Sequence, residues 1–252
     1  MVRERRKSIS CFGGAVALCA ALGGCTTSRE ALDANDPLEP MNRVTWSINE
    51  KVDKYVELPI AGFYIFYVPT PLRRGADHVV SNLALPAVFA NEILQGRETD
   101  AAQDFARFLV NSTLGIGGIL DIASKTGLPQ HRADFGQTLA LYGVDDGPFL
   151  VLPLIGPDPP RDLVGDAADL AANPLLYVPL RAPIWARATD VIVVGGIGPL
   201  ENNARGIFLR QELEKDSLDP YATMRSVYRQ LREEEIYGGL PPEETDPPVP
   251  KE

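Results

Sequence analysis

Everything beyond the first two dozen residues of this chain must fold around a single thiol, and that thiol stands at its very start. Arg3, Arg5, Arg6 and Lys7 precede a short apolar run, Ile9 to Ala21, and then Leu22-Gly23-Gly24-Cys25. A basic stretch, an apolar stretch and small residues before a cleavage point describe a secretory signal. The run is too short and too glycine-rich to span a membrane. Its Leu-Gly-Gly-Cys ending resembles a bacterial lipobox, where small residues fit the peptidase cleft and the thiol receives a diacylglyceryl group. Cys25 is therefore expected to be a lipid anchor, rather than an incidental cysteine after an ordinary cleaved signal. Cys11 and Cys19 leave with the signal, so the exported domain has no pair to join and must hold together by burial alone.

Charge narrows the partners. Removing residues 1–24 takes four cations and one anion from totals of 24 and 34, leaving 20 Lys+Arg against 33 Asp+Glu, a net −13. Such a surface repels nucleic acid and anionic head groups. Membrane attachment must then come from the acyl chains on Cys25, each buried methylene contributing about 0.8 kcal/mol. Thr26, where an Asp would retain the protein, permits transfer to the outer membrane in bacteria that sort lipoproteins.

Four parts are expected along the chain: a signal over 1–24, a lipidated polar tether over 25–35, a helical domain over 36–236 and a disordered acidic, proline-rich tail over 237–252. Asp36-Pro37-Leu38-Glu39 has an N-cap, a proline and a carboxylate in capping order, although Pro40 delays the helix by about a turn. Met41, Val44, Ile48, Val52 and Tyr55 mark one helical face. Leu72, Ala76, Val79 and Leu83 mark the next, and Pro86 to Gln95 forms another segment ending at Gly96. Asp100 is placed to cap a helix with Ala101, Phe105, Phe108 and Leu109 inward. Pro199 to Lys215 and Pro220 to Glu234 read as two more helices, the last with Tyr221, Met224, Val227, Tyr228 and Leu231 on one side. Between them, Phe135–Tyr142 and Phe149–Pro153 flank a Gly/Asp-rich turn and suggest a hairpin or compact loop.

Two segments are more apolar than a water-soluble helical domain needs: Leu58–Val68, with Phe63, Ile65 and Phe66, and Val191–Gly198, with Val191, Ile192 and Val193. Both fall short of the roughly 18–20 residues that span a bilayer. They read either as buried core or as helices lying within one leaflet, and the anchor at Cys25 favours the second. Catalytic chemistry is sparse. His78 and His131 are the two imidazoles, and with no mature thiol to help them neither a metal cluster nor a cysteine nucleophile is expected. Gly115-Ile116-Gly117-Gly118 and Gly195-Gly196-Ile197-Gly198 lack a full nucleotide fingerprint and read as turns or close packing. Carboxylates are plentiful, but nothing requires an enzyme.

Taken in order, the motifs resemble the MlaA/VacJ lipoproteins. The likeness runs through Asp36-Pro37-Leu38-Glu39 with Asn42-Arg43, Asn82-Leu83 with Pro86, Leu94-Gln95-Gly96, and Arg107-Phe108 with Asn111-Ser112-Thr113-Leu114-Gly115. It continues through Gly118 with Asp121, Asp134-Phe135-Gly136-Gln137-Thr138-Leu139, Tyr142-Gly143-Val144 with Gly147-Pro148, and Gly156-Pro157 with Arg161-Asp162. Ser217-Leu218-Asp219-Pro220-Tyr221, Arg225 and Tyr228 close it. The departures are the long acidic tail and Phe149 where a tyrosine is common. The resemblance implies a mainly α, ring-like single domain with a short hairpin or loop insertion, partly embedded in the inner leaflet of a Gram-negative outer membrane beside a trimeric porin. It implies no cofactor beyond the acyl chains, and phospholipid as the transported ligand. Misplaced phospholipid would leave the outer leaflet through an amphipathic channel for an MlaC-like periplasmic carrier. The loop bearing Tyr142, Gly143 and Gly147 is implied to restrict that channel. An envelope hydrolase using paired carboxylates and a tethering scaffold stand as the alternatives.

Overall fold

The computed structural model describes residues 29–173 and 217–238, and within them the chain is helical apart from one small hairpin. Cys25, Val191, Ile192 and Val193, the helix expected over 199–215 and the tail beyond Gly238 lie outside the described residues. Part of the segment read as a tether is a helical turn, α1 (Arg29–Asp33), with Ala31 buried. Next, α2 (Glu39–Val52), a π-helical turn (Asp53–Glu57) and α3 (Leu58–Tyr67) run on without a break. At about 1.5 Å per residue, this rod is roughly 44 Å long. Val68 leaves it in extended geometry because Pro69 follows.

α4 (Thr70–Leu94) and α5 (Glu98–Thr113) pack along each other, and the short α6 (Ile122–Lys125) sits against α5. α7 (Phe135–Leu141) crosses α8 (Pro160–Ala172), and both touch α4. The crossing is close because it is made of glycines. A Cβ on Gly165 would lie 2.3 Å from the Gly136 backbone nitrogen, and one on Gly136 would meet Arg232 and Asp162 at 2.7 Å. α9 (Pro220–Tyr237), capped by Asp219, returns to pack on α7.

Helix starts depart from the sequence reading for local reasons. α2 begins at Glu39, since Pro40 at the second helical position lacks only an N–H that has no partner there. Asp36 does not cap it; its carboxylate is drawn into the interior. Pro86 lies inside α4, one helix of 25 residues, because packing against α5 offsets the hydrogen bond it removes. Asp100 sits in the first turn of α5 rather than at its cap.

The hairpin is also displaced. Phe135–Leu141 is helix, because the Asp134 side chain accepts from Gln137 N at 2.7 Å and caps it. The strands are β1 (Val151–Leu152) and β2 (Gly156–Pro157), antiparallel, with Val151 opposite Pro157. Two asparagines one heptad apart on α2 hold β1 and its turn. Asn42 donates to Phe149 O (2.9 Å) and accepts from Val151 N (3.0 Å). Asn49 donates to Leu152 O and accepts from Leu154 N, both at 2.8 Å. Their amides supply the ladder partners that so short a strand lacks.

Apolar packing gathers here. Trp46, Phe149, Val151 and Tyr221 form a buried cluster, with Met224 and Tyr228 against it. Phe149 meets Tyr228 and Tyr221 edge-on at 5.9 and 6.4 Å between centroids.

Candidate functional site

The expected inward faces are in part turned outward: Ala101 is buried as read, but other members of those faces are exposed. On α2, Val44 and Ile48 are exposed while Asn42, Trp46 and Asn49 are buried. On α5, Phe105 and Leu109 are exposed and Ala101, Asp104, Arg107 and Asn111 are buried. α4 likewise buries Asn82, Asn91 and Glu92 with Leu85. Single exposed apolar residues are ordinary; whole faces, paired with buried polar ones, are not.

The outward apolar surface is most concentrated on α3, which is apolar around its whole circumference. Of the expected membrane residues described here, Phe66 is 81% exposed, Phe63 64% and Ile65 40%. Tyr67 stacks beside Phe63 and Phe66 at 4.3 and 4.9 Å, forming an aromatic cluster at the end of the rod. Ala61 is the residue α3 buries. Leu114, Ile116, Leu154 and Ile155 add exposed apolar loop tips. No helix among the described residues is long and apolar enough to cross a membrane.

Inside, charges are paired. Asp36 is fully buried and accepts from Asn42 Nδ2 (2.8 Å), Tyr221 Oη (2.6 Å) and Arg225 Nη1 (2.7 Å), joining the start of the domain to α9. Burial first, and then the Asp36 hydrogen bond and charge, hold the Tyr221 phenol well above its ordinary range. Arg232 spans Asp134 (2.7 and 2.8 Å) and Asp162 (3.0 Å), tying α9 to α7 and α8. Burial works against the Asp162 carboxylate, yet the bonds from Arg232 and Arg161 hold it below the usual range. Behind α5, Asp121 caps α6 and meets Ser124, Asn111 and Arg107. Burial pushes its carboxyl up, but those bonds and the Arg107 charge more than reverse this, to about 2. A fourth polar group joins Glu92, Asp104 and His131. There burial, followed by the Asp104 charge, pushes the Glu92 carboxyl up to about 8.

The expected loop residues fall on the exit of α7. Gly143 ends that helix at φ +84°, donating to Ala140 O while Val144 N reaches Leu139 O. This left-handed closing turn favours glycine, although no atom lies within 4 Å of the position a Cβ would take. Tyr142 is exposed and donates to Leu94 O at 2.9 Å. Gly147 accepts from Asn35 Nδ2 (2.8 Å) and faces the Pro160 ring. The three residues thus share one connection but not one pocket. A recess of ≈ 280 Å³ opens between α4 and α8, lined by Ala84, Ala87, Val88, Ala133 and Leu170 with Asp169 and Asn173. The sequence reading missed the inward polar faces. Their signal was there, in Ala101, Asp104, Arg107 and Asn111 at helical spacing, but the usual rule assigns that face to water.

A helical fold with polar faces inward and apolar faces outward is matched by known proteins. The family model described as MlaA lipoprotein matches residues 34–235. The chain belongs to the MlaA lipoprotein family. A curated relative in Haemophilus influenzae, the intermembrane phospholipid transport system lipoprotein MlaA, is 34% identical over 83% of this chain and 84% of its own. The protein of the same name in Escherichia coli K12 is 35% identical over 88% of each. A solved chain from a study of how bacterial outer-membrane lipid asymmetry is maintained superposes with a TM-score of 0.65 at 35% identity, over 78% of this chain and 96% of that one.

Proposed function

We propose that this chain is a lipid-anchored component of intermembrane phospholipid transport in a Gram-negative envelope, and that it maintains outer-membrane lipid asymmetry. The observation that carries the reading is the inward polar faces of α4 and α5 beside the exposed apolar α3, in a member of a transport lipoprotein family that is not a known enzyme family. In this reading Cys25 carries the acyl chains and α3 lies among lipid tails on the periplasmic side. Its 10 residues support that depth, since about 15 Å is half of a hydrocarbon core. Phospholipid misplaced in the outer leaflet enters an amphipathic passage and leaves for a soluble MlaC-like periplasmic carrier, with a trimeric porin alongside. The connection bearing Tyr142, Gly143 and Gly147 restricts the passage.

The test is lipid identification by mass spectrometry on detergent-purified protein, together with outer-leaflet phospholipid in cells lacking the gene. Phospholipid retained by the protein and surplus phospholipid on the mutant surface are expected. Lipid-free protein from cells with unaltered asymmetry overturns the proposal, and release of lysolipid or glycan fragments points to a hydrolase. Cys25→Ser should leave an uncleaved or soluble periplasmic form. Normal processing with full outer-membrane retention removes the anchor assignment.

A further inference from the structure

One interior cluster is left unexplained by lipid transport. Glu92 on α4, Asp104 on α5 and His131 in the loop before α7 bring one ligand atom each within 4.8 Å of one another. Glu92 and Asp104 are both 0% exposed. Asp104 Oδ2 accepts from the His131 backbone N at 3.3 Å and lies 3.2 Å from His131 Nδ1. Glu92 Oε1 stands 3.9 Å from the same ring nitrogen. No N–H or hydroxyl donor reaches either Glu92 oxygen or Asp104 Oδ1, and the Glu92 and Asp104 carboxyls face each other at hydrogen-bonding range. Two fully buried carboxyls so placed are costly and call for a shared proton or an ion between them. Arg107 Nε, itself without a hydrogen-bond partner, comes to 3.8 Å from Asp104 Oδ1, an ion pair too long for a hydrogen bond, while its two Nη groups are engaged by Asp121, Ser124 and the Leu128 carbonyl.

We infer that Glu92, Asp104 and His131 bind a single divalent transition-metal ion, for which zinc is the best match. Two carboxylate oxygens and one imidazole nitrogen suit zinc or manganese, whereas calcium and magnesium take oxygen alone. At metal–ligand distances near 2.0–2.2 Å, two atoms on one ion stand at most about 4.3 Å apart. The separations of 3.2 and 3.9 Å from Nδ1 lie within that reach. The far side of the ring agrees. His131 Nε2 faces Asp100 Oδ1 at 3.7 Å. With an ion held at Nδ1 the ring proton would sit on Nε2 towards Asp100, the outer-shell arrangement of a metal-bound histidine, whereas without one Asp104 Oδ2 at 3.2 Å is the nearer acceptor for it. The ion would neutralise two buried acids and pin α4, α5 and the connection into α7 to one point.

The full-length protein, purified in detergent without chelator, is analysed for metals, stripped with EDTA, and titrated with zinc, manganese or calcium chloride while its melting temperature is followed. About one zinc or manganese per chain is expected. Melting should fall on stripping and recover with zinc but not with calcium. Glu92→Gln and His131→Gln should lose both the ion and the zinc-dependent shift, and Asp100→Asn should weaken zinc about 10–100-fold while keeping the site. The wild-type measurement needs no variant to fold. A wild-type chain that neither retains nor rebinds either ion, and melts alike with and without EDTA, overturns the site. So does zinc bound equally by His131→Gln. In both cases a protonated carboxyl pair explains the cluster, and Glu92→Gln then melts at or above the wild type.

Discussion

Two regions of this molecule bury opposite things. Where α2, the hairpin and α9 meet, Trp46, Phe149, Val151 and Tyr221 are inside and charged residues surround them, as in any protein folded in water. Along α4 and α5, asparagine, aspartate, glutamate and arginine are inside, and on these helices and the wholly apolar α3, phenylalanine, leucine and isoleucine face out. The first region owes its stability to apolar burial together with one buried ion pair, Asp36 with Arg225. The second owes it to hydrogen bonds and ion pairs such as Arg107 with Asp121, and leaves its apolar surface for another medium. One chain has therefore been shaped for two solvents.

Cutting the polar tie of the first region should give the largest effect. Arg225→Ala leaves Asp36 buried beside Tyr221 and Asn42 without its cation, and should cost about 3–5 kcal/mol in denaturation. Phe149→Ala should cost a similar ~3–5 kcal/mol. Phe66→Ala, on the exposed face, should stay within about 0.5 kcal/mol, and a loss matching that of Phe149→Ala would erase the contrast.

The second region is probed by charge. Phe66→Asp should weaken partitioning onto phospholipid vesicles by about 2.5–3.5 kcal/mol while circular dichroism is unchanged. Unchanged partitioning with lost helicity would make α3 a core helix after all.

Between the regions lies the exit of α7. Gly143→Val forces a β-branched residue into a left-handed turn and should cost about 1–3 kcal/mol. If the connection also restricts a passage, outer-leaflet phospholipid should rise although the variant reaches the membrane at normal abundance. Normal asymmetry at full abundance reduces Gly143 to a helix stop.

Two pH slopes of opposite sign also distinguish the regions. The Asp121 carboxyl is held at about 2, below its ordinary 3.8, so the stability it contributes is present above pH 4 and lost as pH falls towards 2. Near the first region, burial and then the charges of Asp166 and Asp162 raise Asp158 to about 6. Its ionisation opposes folding, so stability should decline as pH rises from about 4 through 6. Melting curves of Asp121→Asn and Asp158→Asn across that range should each lose one slope, and Asp158→Asn should be the more stable partner at pH 7.

Much of the helical framework was legible beforehand. Gly96 follows α4 as expected, with Arg97 N reaching back to Glu92 O, and Pro220 opens the last helix behind the Asp219 cap. On the face of that helix read as inward, Tyr221, Met224 and Tyr228 join the cluster, whereas Leu231 is exposed. The caps were less legible: Asp36 and Asp100 read as caps and are not, while Asp134, which does not read as one, makes a helix of a stretch whose aromatic and apolar residues suggest a strand.

Residue by residue, then, the chain determines its helix punctuation, since caps, prolines and glycines act within a few bonds of themselves. It determines the axis of each amphipathic helix too. It does not determine the sign. A period of 3.6 separates a polar face from an apolar one equally well whether water or lipid lies outside, so Phe105 and Asp104 could each have been the buried residue. Tertiary structure decided that, by bringing Asp104 to His131, Arg107 to Asp121 and Asn91 to Thr138, partners found far along the chain. Only where such partners meet does burying a charge cost less than burying a ring, and only the folded chain can assemble them.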